Sequence, residues 1–224
     1  MKNKYIRGLV LVSIIIIIIA IGNRAVKGDK KYSIFANPHQ FGEFALYGED
    51  NIEFKFQKPV ENIEKMTISD SLLSKIDIQK VNSNIGIDYD EKNIFVVEHK
   101  SKDGNVLQHL QIQYLNKEGS YIILSAYEVC DFVFIPKEND RFGNQVNIYD
   151  YEDKKIISIV QTTDSGLTKE YYYYNKGTDE IGLVVTGGSE MYTYEDDVLF
   201  HAMYTGKDNE EDVLELFENF IVSY

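Results

Sequence analysis

Four histidines, one cysteine, two acidic clusters, one Gly-Gly-Ser and a run of four tyrosines are the residues of this chain that could do chemistry. His99 and His109 flank one hairpin, the arrangement from which a zinc site could be built. A two-residue turn at Asp103-Gly104 would pair His99 with Gln108 and put His109 on the other face, which argues against such a site. His201 lies in an expected strand near Asp196 and Asp197 and reads as a structural histidine with a satisfied partner; His39 has no such context. Cys130 stands between Val129 and Phe132 and reads as a buried, inert thiol, since one cysteine cannot form an internal disulfide. The clusters Asp150-Tyr151-Glu152-Asp153 and Glu195-Asp196-Asp197 lack the spacing and central glycine of a calcium loop, so they read as solvated turns.

Nucleophile chemistry finds little support. Gly187-Gly188-Ser189 lacks the second glycine of a nucleophile elbow, and there is no phosphate-binding loop, dinucleotide fingerprint or HExxH. Tyr171 to Tyr174 could present a stacking surface to a sugar or peptide, with two rings on each face of a strand; β-propensity alone also accounts for the run. The expectation is therefore a non-enzymatic protein without a catalytic residue, cofactor or metal site, its ligand-contacting residues unknown.

The elements that would carry these residues are organised by the stretch Gly8 to Asn23, sixteen residues without a charge that include six consecutive isoleucines. At about 1.5 Å per residue it spans roughly 24 Å as a helix, between a signal-peptide core and a full membrane span. Arg7 and Arg24 bracket it, and Lys2 and Lys4 precede it. Residues 1–7 read as a short basic cytoplasmic tail, 8–23 as a transmembrane anchor or signal segment, 24–38 as a juxtamembrane linker, and 39–224 as an extracytoplasmic domain. Retention of the anchor in a single-pass membrane protein and cleavage to a secreted protein are both open.

Removing the seven basic residues and one acidic residue of positions 1–31 leaves 16 basic and 35 acidic residues, a net charge of −19. A domain so acidic repels phosphate backbones, which argues against nucleic acid as a partner; another envelope protein or a small ligand fits better. The residues around Phe95, the segment Val106 to Leu115, and Tyr121 to Val129 alternate as three strands with polar turns at Asp103-Gly104 and Glu118-Gly119. Leu110, Ile112 and Tyr114 should face the core, and His109, Gln111 and Gln113 the solvent. Ser69 or Asp70 should cap a short helix, and Ile85 to Tyr89 should be a strand. Residues 137–144 form a polar break that could separate two halves. Strands are then expected at Val146–Tyr151, Lys155–Thr162, Thr168–Tyr174, Ile181–Thr186, Met191–Tyr194 and Val198–Tyr204, before an amphipathic helix capped by Asp208 with Val213, Leu216, Phe217 and Phe220 inward. The fold class expected is α+β: a curved antiparallel meander with the C-terminal helix on one face.

The block from Val106 to Val129, ending YIILSAYEV, and the closing AMYTGKDNEEDVLELFENF resemble a family of extracytoplasmic modules of unknown function in anti-sigma-factor-like and sporulation-related membrane proteins of Gram-positive bacteria. The resemblance covers about a third of the chain. It implies an envelope sensing or binding module of the kind found in sensing or sporulation systems, and carries no catalytic residues. This chain lacks the tryptophan that the family usually has before its last strand, and no zinc-finger segment precedes its apolar run. A second reading is a carrier that holds a lipid or other apolar molecule between sheet and helix; a hydrolase ranks third.

Overall fold

A computed structural model describes residues 54–86, 89–100, 104–116, 119–129, 144–161, 168–205 and 210–222. The apolar run 8–23, His39 and Cys130 lie outside the described residues. None of the described helices is long and apolar enough to cross a membrane.

The described chain is antiparallel sheet with a C-terminal helix, an α+β arrangement. Its strands are β1 (Phe54–Phe56), β2 (Tyr89–Lys100), β3 (Val106–Asn116), β4 (Tyr121–Glu128), β5 (Gln145–Tyr151), β6 (Lys154–Val160), β7 (Thr168–Asn175), β8 (Glu180–Gly187), β9 (Ser189–Glu195) and β10 (Val198–Tyr204). Eight of them form one sheet in the order β1-β2-β3-β4-β10-β9-β6-β5, while β7 and β8 pair only with each other. Each side of residue 140 thus supplies a meander running from an edge to the centre, and the two meet at the β4–β10 seam. Short helices α1 (Asp70–Leu73) and α2 (Ile78–Asn84) precede β2, and α3 (Glu210–Phe220) closes the chain.

Alternation along the strands sorts side chains onto two faces. One face carries Ile94 and Val96, Leu110 and Ile112, Leu124 and Ala126, Phe200 and Ala202, and it packs against Leu72, Val81, Val213, Phe217 and Phe220 from the helices in one core. Phe200 and Phe220 meet edge to face at 6.1 Å, a favourable aromatic geometry.

Polar side chains fasten the helices to this core. Ser69 is the N-cap of α1, its hydroxyl accepting from Leu72 N–H. Glu128, at the end of β4, accepts from the Ser69 and Ser71 hydroxyls at 2.8 and 2.6 Å and from the Gln108 amide N–H at 2.7 Å. At the other end of the sheet Glu210 opens α3 and accepts from Asn147 Nδ2 and the Ser158 hydroxyl. Asp208, the expected cap, lies outside the described residues.

Two local expectations are corrected. Ile85 and Gly86, at the start of the expected strand Ile85 to Tyr89, are not strand: Ile85 follows α2, whose N-terminus is capped by Asp77 accepting from Lys80 N–H, and β2 opens with Tyr89. The loop after β2 spans five residues rather than two, because Lys100 pairs with Val106. His99 therefore pairs with Leu107, and positions 99 and 109 share a face, opposite to the expectation from a two-residue turn.

Three phenols give the fold a pH limit. Burial raises the Tyr114 hydroxyl, which donates to Asn82 Oδ1 at 3.0 Å. Burial, with Glu210 beside it, pushes Tyr149 up to about 12. Tyr194 is pushed up to about 12 by burial and by Asp197. A phenol raised on folding binds more protons in the native chain than in the unfolded one, so its contribution is complete below about pH 10, the unfolded value, and is lost above it. Urea unfolding midpoints should hold steady up to about pH 10 and fall beyond it. A Tyr114→Phe variant should show a shallower fall, and equal falls for the two proteins would exclude Tyr114 as a source.

Candidate functional site

The sheet face away from the helices departs most from expectation. His109, Gln111 and Gln113 point there as the alternation requires, yet they are 1%, 2% and 4% exposed. The face is not wet, because the β7–β8 hairpin lies over it. Phe95, Val97 and Tyr172 are buried together, with Tyr174 and Ile181 packed alongside. Tyr171 approaches Tyr121 at 6.0 Å between ring centroids.

The hairpin is gripped through Tyr172. Gln111 Oε1 accepts from the Tyr172 amide N–H at 2.9 Å, and Gln113 Nε2 donates to the Tyr172 carbonyl at 2.7 Å. The Tyr172 hydroxyl and His109 Nδ1 share a 2.8 Å hydrogen bond. The grip is itself braced, since Gln113 Nε2 also donates to Gln111 Oε1 at 2.7 Å and Gln111 Nε2 reaches Ser125 Oγ at 3.4 Å. The His109 ring stacks on Tyr127 with centroids 3.6 Å apart. Three alternate side chains of β3 thus meet the N–H, the C=O and the side-chain tip of one residue. Two glutamines satisfy the main-chain N–H and C=O of one residue as a neighbouring strand would, without a strand being there.

A second polar group lies on the same face. Ser125 pairs across the seam with His201, which pairs in turn with Tyr192. His201 stacks on Tyr192 at 4.6 Å, and its Nε2 lies 3.3 Å from Glu190 Oε2. Glu190 is fully buried and also accepts from the Tyr192 hydroxyl. His201 therefore does have an acidic partner, but it is Glu190 and not the Asp196-Asp197 turn. Ser125, His201 and Glu190 resemble a hydrolase set in residue type only, because Ser125 has no exposed surface to meet a substrate.

The acidic turns and the Gly-Gly-Ser segment are tied into the fold by local contacts. Asp196 and Asp197 have φ of 45° and 63° and form the β9–β10 turn, where Lys75 pairs with Asp196 at 3.2 Å. Lys154 joins the two acidic turns, 2.8 Å from Glu195 and 3.7 Å from Glu152. Among the described residues no group of three metal-ligating side chains converges. Ser189 is buried, its hydroxyl accepting from Gln161 N–H. A Cβ on Gly188 would lie 2.8 Å from the Tyr204 carbonyl oxygen, so close backbone approach explains that glycine. Of the four tyrosines only Tyr173, at 53%, is exposed; an exposed pair is not formed.

Gln111 and Gln113 carry the site, although their residue types and spacing match no chemical motif. Their trace in the sequence is an absence of charge: His109, Gln111 and Gln113 are three alternate polar positions of VLQHLQIQYL, a stretch without one Asp, Glu, Lys or Arg in a chain that is 26% charged. No family model, curated protein or solved structure matches this chain, so the site rests on its geometry.

Proposed function

We propose that this chain is a non-enzymatic binding module, held at the bacterial envelope by residues 8–23 with the following domain outside the cell. The observation that carries the binding role is the grip on Tyr172, a surface of buried amides and an imidazole that recognises main chain and side chain together. The uncharged stretch between Arg7 and Arg24 supports the anchor, and the strongly acidic remainder supports a protein or small-molecule partner over nucleic acid. The family resemblance points the same way.

The carrier reading is weaker. It needs space between sheet and helix, and there Phe200, Phe217 and Phe220, all without exposed surface, pack with Leu110 and Leu124. The location is tested by fractionating cells that make the chain and digesting intact cells with protease. The anchored reading expects the chain in the membrane fraction with its domain cut from outside. Recovery in the cytosol, protected from protease, would overturn it; a shortened chain in the medium would select the secreted form.

A further inference from the structure

Tyr172 is held as a ligand is held. The hairpin that carries it shares no strand pairing with the eight-stranded sheet. Among the described residues it docks through side chains of the sheet that meet its backbone and its rings, and its own pairing runs from Thr168↔Gly187 to Asn175↔Glu180. A two-stranded ribbon is marginal by itself, so its order depends on the docking. At the base of the hairpin the Tyr121 hydroxyl donates to the Gly187 carbonyl at 2.6 Å. At Tyr172 the receiving surface takes the main-chain N–H and C=O of one residue through Gln111 and Gln113, one phenol tip through His109, and one ring beside Phe95, 5.7 Å from it between centroids.

We propose that the His109-Gln111-Gln113 face is a peptide-binding site, that its ligand is an extended segment bearing a tyrosine, and that the β7–β8 hairpin occupies the site until such a segment displaces it. This rests on the binding-module reading above and names its ligand class and its regulation. Main-chain recognition requires an extended segment, because both amide groups of the gripped residue must be unpaired by its own chain. The 2.8 Å bond to His109 favours tyrosine over phenylalanine, since a phenylalanine would leave a buried imidazole nitrogen short of that partner. The excess of acidic residues favours basic flanks on the incoming segment and speeds its approach.

An internal occupant lowers the apparent affinity for an outside ligand by the fraction of time the site is open. Tyr172→Ala deletes the occupant's phenol and ring, which weakens its hold while its main chain stays, and leaves the receiving side chains intact. The test uses the purified full chain in detergent and a fluorescein-labelled peptide copying residues 168–175, followed by anisotropy. The Tyr172→Ala chain should bind it roughly tenfold or more tighter than the unaltered chain. Phenylalanine at the peptide's counterpart of Tyr172 should weaken binding several-fold, and adding Gln111→Ala with Gln113→Ala should abolish it. A Tyr172→Ala chain that still melts cooperatively but fails to bind at about 1 mM peptide would overturn the proposal. Should that variant not fold, hydrogen exchange of the unaltered chain decides. Hairpin amides exchanging at least about tenfold faster than those of β3 and β4 support local opening, and equal protection refutes it. Because binding is read on purified protein and location in cells, failure of one leaves the other standing.

Discussion

Phe217→Ala should lower unfolding stability by about 3–5 kcal/mol, the range for deleting a large buried aromatic side chain. Phe217 has no exposed surface and sits in the core where α3 meets β4 and β10. The loss comprises the transfer free energy of the ring and a cavity that the sheet is too stiff to fill. A domain of this size has about 5–15 kcal/mol in total, so the variant would spend a large share of it. At about 2–4 °C per kcal/mol, the thermal midpoint should drop by about 6–20 °C by circular dichroism. Phe217→Leu should recover more than half of that. A drop under about 3 °C for the alanine variant would mean that the helix is not fastened to the sheet by this ring.

Glu190→Ala should cost about 3 kcal/mol, and Glu190→Gln about a third of that. The carboxylate is fully buried on the face away from the helices, where it accepts from the Tyr192 hydroxyl and lies 3.3 Å from His201 Nε2. Alanine deletes both contacts and empties the space between them; a buried donor that loses its acceptor costs about 1–3 kcal/mol. Glutamine keeps the shape and an acceptor oxygen, so its own cost isolates the charge, and the further cost of alanine measures the acceptor and the packing. Urea midpoints at neutral pH measure both. Equal costs would show that the charge, not the acceptor, holds Tyr192 and His201 in place, and two negligible costs would exclude a structural role for the group.

What was legible in the sequence was whatever depends on neighbours along the chain. Val198–Tyr204 is observed residue for residue, and β5 to β9 lie within a few positions of expectation, since period-two alternation and turn residues are local. The Ser69 cap was readable for the same reason. What failed depends on distant segments. His109, Gln111 and Gln113 looked wet because nothing in β3 announces a hairpin sixty residues later that covers them. Glu190 is not legible as the partner of His201 because the two meet through the pairing of β9 with β10, while Asp196 and Asp197 are nearer in sequence. The His99 register slipped by one because a five-residue loop and a two-residue turn leave the same glycine at their tip, and only the pairing tells them apart.

The seam between β4 and β10 also has a kinetic meaning. Glu128 pairs with Val198 and Ile122 with Tyr204, so every contact across the centre of the sheet joins positions about seventy to eighty residues apart. Hairpins such as β2–β3 and β5–β6 close short loops and form early, whereas the seam must wait for a long loop to close. Until β10 arrives, β4 offers an unpaired edge whose sequence, YIILSAYE, is buried almost throughout in the finished fold. During synthesis that edge emerges about seventy residues before its partner. The interval in which the chain is most exposed to self-association is therefore set by how quickly its last strand is made.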